Sequence, residues 1–147
     1  ELIDNLRSDL AVYLIGAPGD LEMCAEIRVK SVHGNVRILA GELTFLQSAA
    51  LMKDARMNFV NDSAPMHIAS AVNAPVTAIY CSTNPEFGFG PISDESRVIE
   101  TKESLECRPC GIHGKKACPK GQFKCATTID TKEIVDFGEN KARPISS

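Results

Sequence analysis

The chain has 147 residues, 44% of them hydrophobic, which suits one core and leaves no room for a second full domain. Its 16 Lys and Arg against 19 Asp and Glu argue against a general nucleic-acid binder. No run approaches the roughly 18 apolar residues of a membrane-spanning helix. The opening Glu-Leu-Ile-Asp-Asn-Leu-Arg has no secretory pattern and reads as the end of a surface helix, in a chain that starts partway through something larger.

Strand and helix signals alternate along the first eighty residues. Ala11 to Ile15 reads as a short strand and is followed by the polar loop Gly16-Ala17-Pro18-Gly19-Asp20, then by helical spacing from Leu21 to Val29. A second strand, Val36 to Ala40, leads through Ala40-Gly41-Glu42-Leu43 into a helix over Leu43 to Met52. That helix sets Leu43, Leu46, Ala50 and Leu51 on one side, with Gln47, Lys53 and Asp54 away from it. Met57 to Val60, the loop Asn61-Asp62-Ser63-Ala64-Pro65 and a helix over Met66 to Val72 repeat the unit. Val76 to Tyr80 and Cys81-Ser82-Thr83-Asn84-Pro85 end it.

These strands show little strict alternation, as expected of strands covered on both faces, so the pattern predicts an α/β fold, a Rossmann-like doubly wound parallel sheet. In such a sheet all four polar loops emerge at one carboxyl edge, where open α/β sheets hold their ligands. The connections at the other edge, Val32-His33-Gly34-Asn35, Asp54-Ala55-Arg56 and Asn73-Ala74-Pro75, carry turn residues but no comparable polar cluster.

The third loop carries the sharpest chemistry. Asp62 or Ser63 can cap the following helix, and Pro65 suits a first turn because its missing N–H would be unpaired there. His67 then falls close to free backbone donors at the positive end of a helix, an arrangement best matched by phosphate. Read from spacing alone, the same residues could simply cap the helix and fill space. Asp20 carries the same ambiguity, as an N-cap for the helix starting at Leu21.

A second constellation lies further on, at Cys107-x2-Cys110-x7-Cys118-x6-Cys125, with His113 between and Pro109, Gly111, Gly114, Pro119 and Gly121 around it. So many turn formers leave little for core packing, and something should staple the segment. A structural zinc, disulfides, an iron–sulfur cluster and free thiols all remain open, since the first Cys pair suits half a tetrahedral zinc site and the second pair is not close-spaced. From Lys102 to Lys124 six basic residues face Glu103 and Glu106, a local +4 that leaves −7 on the rest of a chain whose total is −3. A basic segment on an acidic body suits an anionic substrate or an inner-leaflet surface, or only solvates a loop. Cys24 and Cys81 read as small buried hydrophobes. Asp130-Thr131-Lys132-Glu133 has capping-box spacing and opens a last helix through Phe137, followed by a polar tail from Gly138. The expected divisions are a Rossmann-like unit over 1–103, a Cys-rich basic loop over 104–128 and a helix with tail over 129–147.

Residues 11 to about 130 resemble the C-terminal, donor-binding half of the lipopolysaccharide ADP-heptose heptosyltransferases, glycosyltransferases of GT-B fold. The resemblance rests on Val12-Tyr13-Leu14-Ile15-Gly16, on Leu39-Ala40-Gly41-Glu42-Leu43-Thr44, and above all on Asn61-Asp62-Ser63-Ala64-Pro65-Met66-His67-Ile68-Ala69. Pro75-Val76-Thr77-Ala78-Ile79-Tyr80-Cys81-Ser82-Thr83-Asn84-Pro85 continues it in the right order. It implies inverting transfer of heptose from ADP-heptose or a related nucleotide sugar to a lipid-linked oligosaccharide acceptor. It further implies that transfer requires no cofactor and that the enzyme is cytoplasmic, with contact at the inner face of the membrane.

By the same resemblance Asp62, Ser63, Ala64 and His67 surround the donor's sugar and pyrophosphate, Asp20 holds the ribose and Leu43 lines the adenine pocket. Ala64 stands where the family usually has Gly, adding a methyl at the closest backbone approach. The general base is expected in an N-terminal domain outside these residues, so no catalytic residue is assigned here and the fragment is expected to be inactive alone. Two other readings are a non-enzymatic nucleotide or phosphosugar sensor, and an assembly module built around the Cys loop.

Overall fold

The computed structural model describes residues 1–140. A short 3-10 turn at Ile3–Asn5 precedes β1 (Val12–Leu14), α1 (Leu21–Lys30), β2 (Val36–Ile38), α2 (Phe45–Asp54), β3 (Asn58–Asn61), α3 (Ala64–Ala71), β4 (Val76–Tyr80) and β5 (Ser96–Glu100). Two helices follow, α4 (Lys124–Thr127) within the Cys-rich segment and α5 (Thr131–Asn140). Every strand pair is parallel: Val12 lies opposite Val36, Asn58 opposite Val76, and Val76 opposite Ser96. The α/β class and the common strand direction expected from the sequence are both present.

Hydrogen bonding divides the strands into β1-β2 and β3-β4-β5. Packing joins the two sets, because Ile15, just past β1, rests on a core of Met52, Val60, Met66, Ala69, Ala74, Val76, Ala78 and Tyr80. Burying the larger of these, Met52, Val60, Met66 and Val76, contributes roughly 1.5–3 kcal/mol each. β4 is buried at all but one of its positions, as a central parallel strand covered on both faces should be, whereas β1 and β2 are half-exposed with their middle residues outward.

Two sequence expectations require correction, and one strand carries no clear sequence signal. β5, Ser96-Arg97-Val98-Ile99-Glu100, has only two apolar residues between charges; pairing along the whole of β4 is what makes it a strand. In α2 the inward face is not the one expected, for Leu46 is 84% exposed while Met52 is 1% exposed. Leu46, Ala50 and Lys53 form one stripe at helical spacing, and the lysine carries that stripe to solvent while Ser48, Ala49 and Met52 turn inward. At the last helix the capping box is half made. Asp130 accepts from Lys132 N at 2.9 Å, but the Glu133 carboxylate is drawn to Arg97 and, at 2.7 Å, to Lys102. That helix runs on to Asn140, three residues into the tail expected from Gly138, and the rest of that tail, from 141, lies outside the described residues.

Candidate functional site

The loops after β1 and β2 form one unit. Gly41 N donates to Gly16 O at 2.9 Å, and Gly41 adopts φ +76°, where an added Cβ would come within 3.0 Å of Pro18 Cα. Only glycine fits both the dihedral and the approach. Asp20 closes the first loop on itself, its Oδ2 accepting from Ala17 N at 2.8 Å while its own N–H donates to Ala17 O at 2.9 Å. The carboxylate also lies where a Cβ on Gly16 would stand, 2.8 Å from Oδ2. Asp20 thus occupies the position before α1 without capping it by its side chain. Leu43 is half-buried beside Thr44, which caps α2 in a reciprocal box: Gln47 N donates to Thr44 Oγ1 at 3.3 Å and Thr44 N to Gln47 Oε1 at 2.8 Å.

The loops after β3 and β4 form a second unit. Thr83 Oγ1 donates to Asp62 Oδ2 at 2.6 Å, a short charge-assisted bond. This overturns the capping expected of Asp62 and Ser63. Ser63 holds the N-cap position of α3 but makes no side-chain cap, and its hydroxyl turns back to Asn61 O at 3.3 Å. The start of α3 therefore has no side-chain cap, with Ala64, Pro65, Met66 and His67 as its first turn; Pro65 brings no N–H and Met66 N donates to Ser63 O at 3.0 Å. Ser63, Ala64 and His67 are exposed, Asp62 is half-buried, and Met66 anchors the turn in the core.

Beneath this unit Tyr80 is fully buried, its hydroxyl donating to Phe89 O at 2.8 Å and touching Met66 Sδ at 3.3 Å. Burial first, then the nearby Asp62 carboxylate, pushes the phenol up to about 12. The folded state therefore favours the neutral phenol: its contribution is fully present below the unfolded value near 10 and is lost as pH rises through about 12. Thermal melts across that window should show a shallower alkaline fall for Tyr80→Phe than for wild type. An unchanged alkaline limb would count against the buried phenol.

The Cys-rich segment docks on the same unit. Cys110 N donates to Ser82 O at 2.7 Å, and Gly114, at φ +71°, lies so close that a Cβ there would meet Ser82 Oγ at 2.7 Å. Arg108 holds the junction, giving its Nε to Cys81 O at 2.8 Å and its Nη2 to Thr83 O at 3.0 Å and Glu100 at 2.5 Å. Read from sequence, Arg108 was only one charge in a basic run, and Thr83 only part of a polar loop. The signal that could have found them is the pairing of a loop acceptor cluster with a turn-rich basic segment. Cys81 is half-buried, with burial and Cys125 pushing its thiol up, while Cys24 is 5% exposed on α1 and raised by burial and then Asp20. Among the described residues no group of three or more His, Cys, Asp or Glu stands ready to hold a metal, and all six cysteines are free thiols.

Polar loops at the carboxyl ends of parallel strands define a Rossmann-like α/β domain. The fold is similar to that of glycosyltransferase family 9 from Veillonella parvula (TM-score 0.70, 27% identity, covering 88% of this chain and 36% of that one). It is also similar to the ADP-heptose lps heptosyltransferase II of E. coli (TM-score 0.60, 25% identity, 88% and 37%). The sequence pattern of glycosyltransferase family 9 (heptosyltransferase) matches residues 1–119, and the chain belongs to that family. Lipooligosaccharide heptosyltransferase 2 of Haemophilus influenzae is 34% identical over 97 residues, 63% of this chain and 28% of that protein. The chain thus spans well under half the length of these relatives. The resemblance drawn from the loop motifs is borne out.

Proposed function

We propose that this chain is the donor-binding half of an inverting, GT-B heptosyltransferase, holding ADP-heptose against the start of α3. The observation that carries the reading is the uncapped first turn of α3, with Ser63, Ala64 and His67 exposed around it and Asp62 fixed beside it by Thr83. Pyrophosphate charge grows as ADP departs, and donors already aimed at that place stabilise it without reorganising. Ser63 and His67 add side-chain donors there, Ala64 limits how close the backbone comes, and Asp62 orients the heptose hydroxyls. Asp20 takes the ribose and Leu43 the adenine.

In this reading the general base and the lipid-linked oligosaccharide acceptor belong to an N-terminal domain, and transfer itself needs no cofactor. The enzyme works in the cytoplasm, with the basic segment toward the anionic inner leaflet; no helix among the described residues is long and apolar enough to cross a membrane. Units of 1–103, 104–128 and 129–147 remain the proposed division, with the second serving as a wall of the donor site through Arg108 and Ser82.

Calorimetric titration of the chain with ADP and with ADP-heptose tests the reading. Weak binding of both is expected, with ADP-heptose the tighter, and His67→Ala should weaken both by about tenfold through loss of one phosphate contact. Absence of nucleotide binding, or indifference to His67→Ala, would overturn the site. Heptose transfer by these 147 residues alone would overturn the half-enzyme assignment.

A further inference from the structure

We propose that Arg108 is a positioning residue of the donor site, setting Asp62 from outside through the loop after β4; this rests on the donor reading above and adds a residue to it. Three successive carbonyls of that loop are held by the Cys-rich segment. Cys81 O accepts from Arg108 Nε at 2.8 Å, Ser82 O from Cys110 N at 2.7 Å and Thr83 O from Arg108 Nη2 at 3.0 Å. Carbonyls pinned in a row leave the loop backbone one course. The Thr83 side chain then departs in one direction, and its hydroxyl crosses from the loop after β4 to the loop after β3, where it donates to Asp62 Oδ2 at 2.6 Å. A single residue thus separates Arg108 from Asp62.

The surroundings of Arg108 suit a brace better than a ligand contact. Its side chain is 14% exposed, and Nη2 also donates to Glu100 Oε2 at 2.5 Å. Glu100 ends β5 opposite Tyr80, the last residue of β4, so the guanidinium is anchored to the sheet where the loop departs from it. A cation already paired with a carboxylate, with Nε and Nη2 on protein acceptors, is a poor match for a further anion. The planar fork of arginine addresses two carbonyls and a carboxylate at once, which a lysine cannot do. Gly114 completes the junction at φ +71°, where an added Cβ would meet Ser82 Oγ at 2.7 Å. The Cys-rich segment therefore bears on the sugar end of the donor through Asp62, and not on its phosphates.

Calorimetry of the 147-residue chain with ADP and ADP-heptose, joined to NMR of the ligand-free protein, tests this. Arg108→Met should weaken ADP-heptose binding about fivefold, the size of one misplaced hydrogen bond, and ADP binding less than about twofold. Arg108→Lys, which keeps the charge but not the fork, should lose nearly as much, and it carries the same comparisons if Arg108→Met does not fold. Lys116→Ala, which removes an exposed charge of the same segment, should lose nothing. In Thr83→Val the link to Asp62 is already cut, so adding Arg108→Met should cost less than about twofold more. Without ligand, the Thr83 hydroxyl proton should exchange slowly with water in the wild type and at least about tenfold faster in Arg108→Met. Equal loss of ADP and ADP-heptose would make Arg108 a phosphate contact and overturn the proposal, as would full additivity with Thr83→Val, wild-type ADP-heptose affinity in Arg108→Lys, or unchanged hydroxyl exchange. A hydroxyl that responds in a chain binding neither ligand would instead overturn the donor reading and leave the link from Arg108 to Asp62 standing.

Discussion

Asp62→Asn should cost about tenfold in affinity for ADP-heptose while leaving ADP binding and thermal stability close to wild type. The carboxylate lies on the loop after β3, half-buried, and one oxygen accepts from Thr83 Oγ1 at 2.6 Å. Asparagine keeps an oxygen for that hydroxyl but brings no charge, so a charge-assisted bond to a sugar hydroxyl falls to an ordinary one. Asp62→Ala removes the acceptor as well. Thr83 is 8% exposed, and its hydroxyl would be left without a partner in a nearly dry place, a further loss of about 1–3 kcal/mol. Comparing ADP with ADP-heptose by calorimetry, beside melts of both variants, separates recognition from support. Equal loss of ADP and ADP-heptose binding in Asp62→Asn would move Asp62 from the sugar to the phosphates. No loss of either would remove it from the site.

What could be read from the sequence is uneven, and the unevenness has physical causes. β4 was legible with the same bounds because Val76 to Tyr80 is built of β-branched, aromatic and small residues without a charge, and the loop motifs were legible because their residue types are those that turns and anion sites require. β5 was not, since two apolar residues between charges look like any loop until β4 is there to pair with. Capping failed for a different reason. Ser63 and Asp130-x2-Glu133 have the right types at the right spacing, but the Ser63 hydroxyl turns to Asn61 O two residues back, a local competitor, while Arg97 and Lys102 take the Glu133 carboxylate. The last two are distant in sequence, where local rules cannot see them. Thr44, with no competing ion pair, makes its box with Gln47. Of the site residues, Asp62, Ser63, Ala64 and His67 come together because one strand-to-helix turn carries them all, and Asp20 and Leu43 sit on the neighbouring loop pair bound through Gly16 and Gly41.

Met66→Ala should lower the unfolding free energy by roughly 2–5 kcal/mol, because it opens a cavity where the core meets the site. Met66 is 0% exposed, packs with Val60, Ala69 and Tyr80, and touches the Tyr80 hydroxyl through its sulfur at 3.3 Å. It is also the residue by which the first turn of α3 grips the sheet, its N–H donating to Ser63 O at 3.0 Å and His67 following directly. A melting temperature lower by roughly 10 °C would match such a loss in a domain of this size. The same variant should weaken ADP binding, since the turn proposed to hold the phosphates loses its anchor, and Met66→Leu, which nearly restores the volume at less than about 1.5 kcal/mol, should recover both. If stability falls in Met66→Ala and nucleotide affinity does not, the first turn of α3 is held by something other than the core. The donor would then have to rest elsewhere along the carboxyl edge.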